Sequence, residues 1–112
     1  MEYSRIVYIS HPYGGKRENR RAVANLFRKL QEKYPNTLFL SPIHAFAPIY
    51  HTVPYEDGLN RCLWLLDQCT EMWVFGDYKN SVGCKADIEY CRENYIPFQV
   101  FGEGGCYDKE SN

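Results

Sequence analysis

The chain has 112 residues and a formal net charge of −1, a length that fits one domain, residues 1–112, able to bury a core without disulfides or metals. The near-neutral balance gives no broad basic field of the kind that attracts a nucleic acid polymer, and no apolar run is long enough to span a membrane. No charged-then-apolar leader pattern precedes the first strand, so a cytoplasmic protein is expected.

Ser4 to Ser10 (Ser-Arg-Ile-Val-Tyr-Ile-Ser) is rich in β-formers and predicts a first strand. His11-Pro-Tyr-Gly-Gly15 breaks it. Lys16 to Tyr34 repeats apolar residues at helical spacing, with Val23, Leu26, Phe27 and Leu30 on one face, and Pro35-Asn36 stops that helix. Thr37 to Leu40 is a short second strand. Ser41 to Tyr55 contains three prolines and several aromatics and reads as a long connection. Glu56 to Gln68 predicts a second helix with Leu59, Leu63 and Leu66 inside. Met72 to Phe75 is a third strand, Ser81 to Asn94 a third helix, and Pro97 to Phe101 a fourth strand. The tail from Gly102 is polar and Gly-rich and is expected to fray.

The resulting order, βαβαβαβ, predicts an α/β domain: a flavodoxin-like, Rossmannoid three-layer sandwich with a parallel sheet of about four strands. Ligands in such sheets sit beyond the carboxyl ends of the strands, where the strand order switches. The loops His11–Gly15, Ser41–Tyr55 and Gly76–Gly83 converge there.

The five cysteines include two pairs, Cys62/Cys69 and Cys84/Cys91, each seven apart. That spacing puts each pair on one helix face, so they read as small buried residues, and no C-x-x-C or other metal pattern accompanies them. No metal and no cofactor are expected. His44 and His51 are two histidines in a loop, too few for a metal site.

Helix angles single out one acid. On the third helix Cys84, Ile88, Cys91 and Tyr95 cluster and define its buried face. Asp87 lies about 60° from Cys84, at the edge of that face, and Glu89 about 140° away, toward solvent. Asp87 can therefore border the crevice, although a solvated carboxylate near a helix N-terminus explains its presence equally well. Asn19 falls on the apolar side of the first helix, where capping of nearby backbone is the commoner role. Ser81 fits a helix N-cap, and Gly83 would let a ligand or backbone approach closely. Lys16, Arg17, Arg20 and Arg21 form a basic cluster beside the first loop, and Phe46, Tyr50, His51 and Tyr55 give the long connection an aromatic surface suited to a nucleobase or to a subunit interface. Neither a P-loop nor a G-x-S-x-G nucleophile motif is present.

Taken in order, Tyr8-Ile-Ser-His-Pro-Tyr-Gly14, Asn19 and Ala22, Ser41-Pro42, Cys69 to Asp77, and Ser81-Val-Gly-Cys-Lys-Ala-Asp-Ile-Glu89 resemble the nucleoside 2-deoxyribosyltransferase-like superfamily. The resemblance runs from about Tyr3 to Phe101. It implies cleavage or exchange of the N-glycosidic bond of a deoxynucleoside or deoxynucleotide, with a carboxylate attacking the anomeric carbon. Asp87 stands where relatives carry a Glu nucleophile, Cys62 where they carry an Asp partner, and Thr70 where an Asp precedes the third strand. By the same resemblance His11, Pro12, Tyr13 and Gly14 line base and sugar, Ser81 and Gly83 hold the 5′ end, Asn19 and Asp77 join the substrate-binding set, and the protein is a homodimer or higher homo-oligomer. Two other readings are open: a nucleotide-binding module without turnover, and an interaction protein that uses the aromatic 43–55 loop.

Overall fold

The structure, a computed structural model, describes residues 3–103. Its elements follow in chain order: β1 (Ile6–Ser10), α1 (Arg17–Lys33), β2 (Leu38–Leu40), α2 (Pro42–Phe46), a 3-10 turn (Ala47–Ile49), α3 (Tyr55–Asp67), β3 (Glu71–Phe75), a second 3-10 turn (Tyr78–Asn80), α4 (Val82–Glu93) and β4 (Phe98–Gly102). The four strands form one parallel sheet in the order β2-β1-β3-β4. β1 pairs with β2 on one side and with β3 on the other. The chain thus leaves β1 outward to β2 and returns to β3, and a crevice opens beyond Ser10 and Phe75, where those two connections diverge.

Alternation along the strands sorts their residues between two layers. Val7 and Ile9 of β1 join Phe39, Trp73, Phe75 and Phe101 under Val23, Leu26 and Leu30 of α1. Tyr8 joins Met72, Val74 and Val100 under Leu66 of α3 and Ile88 and Cys91 of α4. The sheet is therefore covered on both faces, which is why its strands read as continuous apolar runs. At the amino ends of the strands, Arg5 pairs with Glu71 through two hydrogen bonds of 3.2 and 2.9 Å, and Glu71 also accepts from Trp73 Nε1 at 2.9 Å. Thr70 accepts from the Ile6 amide and donates to the Ile6 carbonyl, tying the start of β3 to β1 on the edge far from the crevice.

Four expectations need correction. The stretch 41–55 is not a plain connection: Ser41 caps a short helix by accepting from the His44 amide, and Pro42 occupies its first turn, where a missing N–H costs nothing. Tyr95 is 93% exposed, because α4 ends at Glu93 and Tyr95 adopts a left-handed backbone (φ 58°) that turns its side chain outward. Cys69 falls beyond the end of α3 and does not continue the Cys62 face; both are only partly buried. Gly102 is the last residue of β4, so the chain stays ordered to that point, while the rest of the expected fraying tail, 104–112, lies outside the described residues. Among the described residues no helix is long and apolar enough to cross a membrane.

Candidate functional site

A cavity of about 550 Å³ occupies the crevice. Its floor is the carboxyl end of β1, its walls are α2, α3 and the start of α4, and its rim is the loop after β1.

Asp87 stands at its base. The second turn of α4 brings the carboxylate over the sheet. The residue is 7% exposed yet lines the cavity. Ser10, the last residue of β1, donates its hydroxyl to Asp87 Oδ2 at 2.8 Å. Tyr8, two residues back on the same strand and hence on the same face, brings its hydroxyl toward the same carboxyl group. Burial pushes the Asp87 carboxyl up to about 7, and the Ser10 bond and the Tyr8 hydroxyl act in the opposite direction by favouring the carboxylate. The group is therefore balanced between its charged and neutral forms near neutrality. Glu89, by contrast, is exposed and lies 3.9 Å from Arg92, so the angular separation between the two acids holds.

Cys62 reaches the cavity from α3 beside Tyr8; burial and the nearby Asp87 charge raise its thiol to about 11. Among the described lining residues Asp87 is the sole carboxyl group.

The loop His11–Gly14 lines the rim as expected. His11 Nδ1 donates to the Pro12 carbonyl at 2.7 Å, and burial lowers its pKa, which favours the neutral ring. The ring rests on Gly76: a Cβ there would lie 3.0 Å from His11 Nε2 and 3.0 Å from Pro12 Cδ, and Gly76 has φ +77°. Glycine is the residue that suits both constraints. Tyr13 meets Tyr50 edge-on at 4.8 Å, and Tyr50 meets His51 at 4.9 Å, so the first loop and the 47–53 segment touch across the rim. A Cβ on Gly15 would come within 2.9 Å of Tyr50 Cε2.

Asn19 lines the cavity while its side-chain amide donates to the Tyr13 carbonyl at 2.9 Å, which shapes the loop. Ser81 and Gly83 also line it, and Ser81 caps α4 by accepting from the Cys84 amide at 3.1 Å. Asp77 is not brought to the cavity. Its side chain is exposed and accepts two bonds from Asn80 Nδ2, at 3.1 and 2.9 Å, because the left-handed turn at Gly76 carries the chain away before Asn80 returns it to the rim. Of the basic cluster, Lys16 lines the cavity; Arg17, Arg20 and Arg21 are exposed. His44 bonds with Ser41 Oγ at 2.8 Å. Among the described residues no cluster of three or more His, Cys, Asp or Glu side chains could hold a metal.

Ser10 and Tyr8 are the site residues that sequence reasoning missed. The available signal was two polar groups at i and i+2 on a buried strand, ending at the point where strand order switches.

A profile of the family described as Domain of unknown function (DUF7768) matches residues 5–101. No curated protein matches the sequence. Among solved structures, the fold is similar to a 2-deoxyribosyltransferase from the psychrotolerant bacterium Bacillus psychrosaccharolyticus, with a TM-score of 0.66 over 87% of this chain and 72% of that one, at 14% identity. That protein is described as a biocatalyst for the synthesis of antiviral and antitumoral nucleosides. At this identity the likeness is one of fold.

Proposed function

The chain belongs to the DUF7768 family, and we propose that it transfers or hydrolyses the N-glycosidic bond of a deoxynucleoside or deoxynucleotide, with Asp87 as nucleophile. The observation that carries this reading is the Asp87 carboxylate, buried but open to a cavity at the switch point of the sheet and held there by Ser10. The fold shared with a 2-deoxyribosyltransferase supports it.

In the first step Asp87 bonds to the anomeric carbon as the bond to the base breaks. The electron pair leaves on the base nitrogen, which takes up a proton from solvent water, and the proton is returned when water attacks in the second step. In the second step water or another base displaces Asp87 and restores its carboxylate. The aromatic rings of Tyr13, Phe46 and Tyr50 offer stacking surface for a base. Ser81, Gly83 and Lys16 stand where they can meet the 5′ end. The nucleophile must be ionised, so turnover is expected to rise with pH through about 7. Exposed Tyr55 and Val82 at the rim leave room for a second copy to complete the site, a state to be read by light scattering.

One observation favours a second reading, a nucleotide-binding module without turnover. Cys62 faces Asp87, and a thiol raised to about 11 is a weak proton donor to a leaving base. Incubation with deoxynucleosides and their monophosphates, followed by chromatography for free base, separates the readings. Base released by the wild type and not by Asp87→Asn supports catalysis. Tight calorimetric binding without base supports the module, and no binding at all leaves an interaction protein.

A further inference from the structure

We propose that Ser10 is a positioning residue for Asp87: its hydroxyl, fixed at the end of β1, sets the orientation of the carboxyl group that the cavity exposes. This rests on the role given to Asp87 above.

The two residues are 77 apart in sequence and meet because α4 packs on the β1–β3 half of the sheet. Asp87 has two side-chain torsions, and nothing in helix geometry alone chooses how its carboxyl plane lies. Ser10 is 1% exposed at the base of the cavity, and its backbone is held in the β1–β3 ladder opposite Val74. A short side chain on a paired strand has little freedom, so the 2.8 Å bond to Oδ2 fixes the acid more firmly than a bond from a loop would. A hydroxyl both donates and accepts, so the contact survives whether Asp87 is ionised or protonated.

A strand position 1% exposed, on the same side of β1 as Tyr8, would ordinarily take an apolar side chain. Serine there carries a hydroxyl whose burial is costly unless it is bonded. The bond to Asp87 is what makes serine suitable at this point.

The test is titration of Asp87 by carbon NMR of its labelled carboxyl group, in the wild type, Ser10→Ala and Ser10→Thr. In Ser10→Ala the midpoint moves up by about one unit, roughly a tenfold loss of carboxylate below both midpoints, because a bond that favours the charged form is gone. Ser10→Thr, which keeps the hydroxyl, moves back toward the wild type. The pH midpoint of kcat follows the same order, with KM changed less than about twofold. If Ser10→Ala does not fold, Ser10→Cys, a weaker donor of similar size, carries the same comparison. An unchanged Asp87 midpoint in the folded variant overturns the proposal. A shifted midpoint in a protein that never releases base leaves Ser10 as the positioning residue and removes the catalytic reading instead.

Discussion

On the α1 side of the sheet, Val7 and Ile9 of β1 disappear into an aromatic and aliphatic layer of Phe39, Trp73, Phe75 and Phe101. On the α3/α4 side, Tyr8 and Ser10 of the same strand meet Asp87 and the edge of a cavity. One strand of five residues thus packs the core with its alternate side chains on one face and borders the cavity with those on the other. A single step along the chain separates the two. The α1 face is dry and tolerates only shape. The opposite face is apolar toward the amino ends of the strands and becomes polar at their carboxyl ends, where the Ser10 hydroxyl meets the Asp87 carboxyl group.

The contrast can be broken most sharply at Asp87. Asp87→Asn keeps the volume and removes the proposed nucleophile; turnover is expected to fall on the order of 1,000-fold or more, while the chain stays folded, as read by base release and circular dichroism. The mirror experiment is Phe39→Ala on the other face. Phe39 is 1% exposed, and the cavity left behind costs about 3–5 kcal/mol, read by urea denaturation, with ligand affinity little changed in the fraction that remains folded.

A third experiment uses pH. Folding lifts the Asp87 carboxyl from the ordinary 3.8 to about 7. Between those values the folded chain holds a proton that the unfolded chain has released. The group's contribution is therefore most favourable below about pH 4 and is lost as pH rises through 7, by on the order of 4 kcal/mol over the full window. His11, whose pKa is lowered by burial, acts the other way, with stability lost as pH falls. The difference between the wild-type and Asp87→Asn stability profiles isolates the aspartate. The smallest effect is expected at the rim. Gly76→Ala forces a side chain onto a left-handed backbone and against His11; about 1–2 kcal/mol of stability is lost, with weaker ligand binding, both read by thermal shift with and without ligand.

Much of this arrangement is legible in the sequence. Strand and helix periods place every long element, and their alternation predicts the parallel sheet. Helix angles separate Asp87 from Glu89 because burial is a property of one helix face, which the sequence carries locally. What stayed hidden depends on distant pairing or on where an element stops. Ser10 looks like a strand end until the fold brings α4 over it. Tyr95 fits the buried face of α4 by angle, but the helix ends before reaching it. Asp77 lies beside the site in sequence, yet the turn at Gly76 sends it to Asn80. In the 41–55 segment the prolines masked a helix whose start, Ser41 followed by Pro42, was a recognisable capping signal.

The central claim is that the Asp87 carboxylate bonds to the anomeric carbon of a nucleoside sugar. Intact-protein mass spectrometry during incubation with a deoxynucleoside, followed by peptide mapping, tests it directly. The account predicts a mass increase of one deoxyribosyl group on the peptide containing Asp87, absent in Asp87→Asn. Base release at the wild-type rate by Asp87→Asn, with no adduct on the wild type, would contradict it.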